Sequence, residues 1–166
     1  KNLVANYTLK TVAKRAENKK ALCELMGFNY SPDRPLMVLI SRLTEQKGID
    51  LVATVLDEML QADIQLVVLG KGDWKYETIL KNAEKTYNTK MRAIINFSQE
   101  LASKLYGAAD MFLMPSKFEP CGLGQMIAMR YGAVPIVRET GGLKDTVEAF
   151  NPVTQKGNGF TFKAYQ

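Results

Sequence analysis

The sequence predicts an α/β fold, a parallel sheet flanked by helices on both faces. Short, uninterrupted apolar runs recur along the chain. Patterns at helical spacing separate them, and loops holding glycine or charge follow most of the runs. Such alternation marks a βαβ series, in which each helix crosses over the sheet and covers it.

An opening helical segment, about 9–26, is apolar at Leu9, Val12, Ala16, Leu22 and Leu25/Met26, and Gly27 stands where a C-terminal cap ends a helix. Leu36–Ile40 (LMVLI) is apolar throughout, as a strand buried on both faces reads. From Gly48 to Ala62 one stripe carries Ile49, Val52, Ala53, Leu56, Met59 and Leu60, the period of an amphipathic helix. Gln65–Leu69 is the second strand, and a polar helix is expected near Trp74–Tyr87. A third strand is predicted over Arg92–Phe97, a helix near Gln99–Ala108 and a fourth strand over Met111–Met114. Gly122–Tyr131 reads as helix and Val134–Val137 as a fifth strand. The tail from Asn151, with Pro152, Gly157 and Gly159, reads as a loop leading into a short strand.

Composition narrows the chemistry. A chain of 166 residues suits one domain with a real core, and the 46% apolar and 23% charged shares are ordinary globular usage. The longest uncharged stretch, Pro120–Met129, is far shorter than the roughly 18–20 residues of a membrane helix, so no membrane span is expected. With no histidine in the chain, Ser-His-Asp triads, HExxH zinc sites and other His-ligated metals are excluded within it. Cys23 and Cys121 are too few for a disulfide framework and too distant in sequence for a metal knuckle. Lys1, Lys10, Lys14 and Arg15 break up the opening segment, so it does not read as a secretory signal. The net charge of +5 lies wholly in the first part of the chain: residues 1–47 hold nine Lys/Arg against four Asp/Glu, and 48–166 hold thirteen of each. A basic surface attracts anions. Aromatic residues do not interleave with these charges as base-stacking platforms do, so no nucleic-acid partner is expected.

In parallel sheets ligands bind beyond the carboxyl ends of the strands. The loops after Ile40, Leu69, Phe97, Met114 and Val137 therefore hold the candidate site. After the first strand, Arg42 and Lys47 stand five residues apart at the mouth of a helix, placed either to grip an anion such as a diphosphate or to sit solvated in a turn. The Gly70-Lys71-Gly72 turn lacks the third glycine of a dinucleotide fingerprint, and turn chemistry is its simpler reading. After the fourth strand, Glu119 precedes a glycine-rich helix start. It either satisfies free helix amides or faces positive charge on a ligand while Gly122 and Leu123 offer backbone amides to an anion. Thr140-Gly141-Gly142 is a further glycine junction able to hold phosphate oxygens. Four anion-capable loops on one sheet edge favour a nucleotide.

Three strings, Ser41-Arg-Leu-Thr-Glu-Gln-Lys-Gly48, Phe118-Glu-Pro-Cys-Gly-Leu123 and Thr140-Gly-Gly-Leu143, resemble the C-terminal domain of bacterial glycogen synthases and plant starch synthases. The resemblance runs from Asn6 to Phe162, and the FEPCGL string is its most specific part. It implies a Rossmann-like fold, one half of a two-domain glycosyltransferase of the GT-B type. In that family glucose passes from ADP-glucose, or UDP-glucose in some members, to the non-reducing end of an α-1,4-glucan with retention of configuration. Residues 1–166 would then form the donor-nucleotide half, with the acceptor domain and a final crossing helix lying elsewhere. Such a half would be inactive by itself and would meet the glucan only through the other domain.

By position the resemblance implies a catalytic set of Glu119, facing the donor glucose, with Arg42 and Lys47 on the departing diphosphate. Cys121, Gly122 and Leu123 match the loop against glucose and phosphates, and Thr140, Gly141 and Gly142 the turn beside the phosphates. Asn96 and Phe97 fall where an aromatic residue lies near the adenine, although Phe97 also suits a strand-end core aromatic. A second glutamate common in the wider superfamily is replaced by Ile127, which leaves the ribose contact unassigned. No metal and no other cofactor is expected, and the implied location is bacterial cytoplasm or plastid stroma. A sucrose- or trehalose-type transferase and a non-catalytic nucleotide-binding module are the alternatives. A dehydrogenase-type dinucleotide domain is disfavoured by the missing third glycine.

Overall fold

The computed structural model describes residues 2–120 and 122–163. A 3-10 turn at Leu9–Lys14 runs into helix α1 (Arg15–Met26), capped by Gly27 at φ 71°. Strand β1 (Leu36–Ile40), helix α2 (Ile49–Gln61), strand β2 (Gln65–Leu69), helix α3 (Trp74–Thr86) and strand β3 (Met91–Ile94) follow. Helix α4 (Gln99–Ala108), strand β4 (Met111–Met114), helix α5 (Gly124–Tyr131), strand β5 (Val134–Arg138), helix α6 (Gly141–Thr146) and strand β6 (Phe160–Phe162) complete the series.

All six strands run parallel in the order β3-β2-β1-β4-β5-β6. β1 pairs with β2 from Leu36↔Gln65 to Ile40↔Leu69, and with β4 through Met37↔Met111 and Val38↔Phe112. The chain reverses its direction across the sheet at β1 and β4, and a crevice opens beyond their carboxyl ends.

The sheet separates two cores. On one face Leu36, Val38, Val67, Leu69 and Phe112 pack with Leu22 and Cys23 of α1, Leu105 and Ala108 of α4 and Ala128 of α5. On the other face Leu39, Leu66, Val68 and Met91 pack with Ile49, Val52, Leu56 and Leu60 of α2 and Leu80 of α3. Burial on both faces is why β1 and β2 read as unbroken apolar runs, and each such Leu or Val contributes roughly 1.5–3 kcal/mol on burial.

Two boundaries that bear on the site differ from the sequence expectation. β3 stops at Ile94 rather than Phe97, because the Asn96 amide turns back to the Ile94 carbonyl (3.0 Å) and the Asn96 side chain accepts the Phe97 amide (2.8 Å). α5 begins at Gly124 rather than Gly122, because Gly122 lies at φ 65° in the turn ahead of the helix.

Candidate functional site

The loop after β1 leaves the sheet at Ser41 and returns as α2. Its course is set by main-chain contacts with the next loop: the Leu43 amide donates to the Lys71 carbonyl (3.0 Å) and the Asp73 amide to the Leu43 carbonyl (2.9 Å). A Cβ on Gly70 would lie 1.8 Å from the Ser41 carbonyl oxygen, and one on Gly72 would lie 2.5 Å from that of Leu43. The two glycines are thus explained by backbone approach, as the turn reading holds, without a ligand.

The loops after β1 and β4 meet at Lys47 and Glu119. The Lys47 Nζ donates to Glu119 Oε2 at 2.7 Å, and the side chains are only 17% and 11% exposed. The buried Ser116 hydroxyl donates to the same carboxylate oxygen at 3.1 Å. Pairing and hydrogen bonding are what allow a carboxylate and an ammonium to stay this dry. Ser41, Arg42, Lys47, Ser116, Glu119, Leu123 and Ile127 line one cavity of about 350 Å³ at the carboxyl ends of β1 and β4. Arg42 is exposed, so its guanidinium and the Lys47 ammonium give the cavity two cations beside one carboxylate.

The structure therefore brings Arg42, Lys47, Glu119 and Leu123 together. Gly122 is buried beside them, against the Gln125 side chain, and Cys121 lies outside the described residues. Thr140, Gly141 and Gly142 abut the back of this group rather than its cavity. Gly141 (φ 46°) passes so close to the Glu119 carbonyl that a Cβ would lie 2.2 Å from its oxygen.

The Gly142 amide donates to the Glu119 carbonyl (2.9 Å), and the Leu143 and Lys144 amides donate to the Thr140 carbonyl (3.0 and 3.3 Å). The junction serves to brace the Glu119 loop. Asn96 and Phe97 stand two strands away from β1, roughly 10 Å at ordinary strand spacing. Phe97 is 53% exposed, not a core aromatic, and the Lys71 ammonium lies 5.4 Å from its ring centroid. The Asn96 side-chain oxygen is engaged by the Phe97 amide.

Ser116 and Lys117 have no role in the sequence reading. Lys117 donates its amide to the Gln46 carbonyl (2.9 Å), and its ammonium pairs with Glu45 (2.5 Å) and Asp50 (3.2 Å). Those partners hold the Lys117 ammonium above its ordinary pKa, the hydrogen bond it donates to Glu45 most of all. No sequence signal gives such contacts, since they join segments about 70 residues apart. Among the described residues no group of three or more His, Cys, Asp or Glu is placed to hold a metal ion, and no helix is long and apolar enough to cross a membrane.

The chain is 52% identical over 159 residues to glycogen synthase of Anoxybacillus flavithermus, covering 96% of this chain and 33% of that protein. It is 53% identical over 165 residues to glycogen synthase of Clostridium acetobutylicum, covering 99% and 35%. The chain thus spans about a third of the length of the curated relatives it matches. Its fold superposes on the catalytic domain of starch synthase IV from Arabidopsis thaliana, bound to ADP and acarbose, with a TM-score of 0.89 at 35% identity over 99% of this chain and 35% of that one. A sucrose-phosphate synthase from Thermosynechococcus elongatus is more distant, with a TM-score of 0.66 at 25% identity over 89% and 35%. Residues 27–166 match the family described as glycosyl transferases group 1, and the chain belongs to that family.

Proposed function

We propose that this chain is the donor-nucleotide half of a glycogen or starch synthase, which transfers glucose from ADP-glucose to the non-reducing end of an α-1,4-glucan with retention. One observation carries the reading: two cations, Arg42 and Lys47, share a cavity with Glu119 at the carboxyl ends of β1 and β4. The names of the relatives, and the ADP bound to the starch synthase of like fold, support it.

Glycosyl transfer from a nucleotide sugar builds negative charge on the departing diphosphate and positive character at the anomeric carbon. In this reading Arg42 and Lys47 meet the first demand with no metal, and preorganised donors of this kind are worth roughly 3–4 kcal/mol each in the transition state. Glu119 meets the second through its charge and a hydrogen bond to a sugar hydroxyl. Lys47 bonds Glu119 in the structure, so a bound diphosphate shares or takes that ammonium and frees carboxylate charge for the sugar. The acceptor hydroxyl then attacks on the face that the leaving group departs, with a diphosphate oxygen taking its proton.

Phe97 stacks the adenine, the turn before α5 (Cys121, Gly122, Leu123) lies against glucose and phosphates, and Thr140–Gly142 acts by holding Glu119. UDP-glucose is the second candidate donor. The acceptor glucan is contacted by the rest of a longer protein, and this half alone does not elongate it. Calorimetric titration of the chain with ADP and UDP tests the reading. Binding of ADP that Arg42→Ala and Lys47→Ala each weaken at least tenfold is expected. Failure to bind either nucleotide overturns it.

A further inference from the structure

We propose that Lys117 is a positioning residue, which clamps the loop bearing Lys47 onto the loop bearing Glu119 and so fixes the reach of that pair across the cavity. The inference rests on the reading of the cavity as a nucleotide-sugar site.

Apart from the Lys47–Glu119 pair itself, Lys117 ties the two loops together: its amide donates to the Gln46 carbonyl (2.9 Å) and its ammonium pairs with Glu45 (2.5 Å) and Asp50 (3.2 Å), while its carbonyl accepts from Arg138 at the end of β5 (2.5 Å). Gly48, at φ 79°, is seated so closely on Pro115 that a Cβ would lie 2.2 Å from the Pro115 oxygen. Lys47 lies between Gln46 and Gly48, and Glu119 two residues beyond Lys117. The clamp therefore brackets both members of the 2.7 Å pair. Glu45 is 61% exposed and Asp50 about a third, so neither carboxylate is needed to fill a core, and their shared ammonium joins the start of α2 to the other loop.

A variant distinguishes placement from mere charge. In Glu45→Gln/Asp50→Asn two negative charges near the cavity are lost, which by attraction alone would tighten an anion. Loss of the clamp weakens it. Circular dichroism first checks that the variant folds. Hydrogen exchange, which needs no ligand, then reads the clamp: amides of 44–48 and of Ser116 and Lys117 are expected to exchange at least tenfold faster in the variant. The dissociation constant of ADP is expected to rise at least fivefold. Lys117→Met is expected to behave like the double variant, while Lys117→Arg, whose fork can span both carboxylates, restores slow exchange and ADP affinity.

Unchanged exchange overturns the clamp. Faster exchange with unchanged or tighter ADP binding overturns the positioning role. If the unaltered chain binds no ADP, the nucleotide-site reading falls, and the exchange measurement still decides the clamp.

Discussion

Lys47 and Glu119, 72 residues apart in the chain, form a 2.7 Å ion pair with both side chains more than four-fifths buried. Three loops converge to make it. The β1 loop supplies the ammonium, the β4 loop supplies the carboxylate, and the β5 junction braces the latter through the Gly142 amide.

Removing one partner strands the other. Glu119→Ala is expected to lower stability by about 3–5 kcal/mol, the usual cost of leaving a buried charge unpaired. In a domain of this size that is a fall in Tm of roughly 10 °C. Glu119→Gln, which still accepts from Ser116, is expected to lose less, and Lys47→Met/Glu119→Leu less than either single truncation. Urea unfolding measures the series, and a Glu119→Ala protein as stable as its parent would contradict the pairing.

In the proposed site the same carboxylate would oppose a bound diphosphate. Glu119→Gln is expected to bind ADP more tightly by roughly 1 kcal/mol, about fivefold, as a partly screened like charge is removed. Arg42→Ala is expected to bind it more weakly. Calorimetry at low salt decides, and weaker binding by Glu119→Gln would mean that Lys47 depends on Glu119 for its aim.

Gly48 combines φ 79° with a Cβ position 2.2 Å from a carbonyl oxygen. Gly48→Ala is expected to cost about 2–3 kcal/mol, since both the conformation and the contact resist it. Gly124→Ala is the control: its nearest neighbours lie at 3.4–3.5 Å and are side-chain atoms, so it is expected to be near neutral. Equal unfolding midpoints for the two variants would sink the distinction.

Burial pushes the Cys23 thiol above its ordinary value of 9.0, and pushes the Tyr106 hydroxyl up to about 12 from 10. Each group holds its proton more tightly in the folded protein. Their contribution to stability is complete below the unfolded values and falls as pH rises, for Tyr106 between about 10 and 12. In a Cys121→Ser background the remaining thiol is expected to react with a disulfide reagent at pH 8 only as the protein unfolds. Absorbance titration at 295 nm is expected to show late tyrosine ionisation, Tyr106 among the groups that hold their proton. Rapid thiol reaction in the native protein would contradict the first expectation.

The alternation of apolar runs placed β1, β2, β4 and α4 at their observed boundaries, because strands covered on both faces are apolar nearly throughout, Gln65 of β2 excepted, and the crossover helices keep a different period. Where a polar side chain competes with the backbone the pattern misleads: Asn96 ends β3 early, although the sequence around it remains apolar. The loops after β1 and β4 could be singled out because Arg42, Lys47 and Glu119 are charges at strand ends. Contacts between loops could not. Ser116 and Lys117 are ordinary residues until Glu119, Glu45 and Asp50 are brought to them, and the amide of Gly142 looks available until the Glu119 carbonyl reaches it.

The seat of Gly48 on Pro115 is an abutment of main chain on main chain, and it ties the lengths of two loops that are remote in the gene. A residue inserted into either has no side chain to displace and must lift the other loop bodily. Efforts to retool this protein for a different ligand will find little freedom at the β1 and β4 corners.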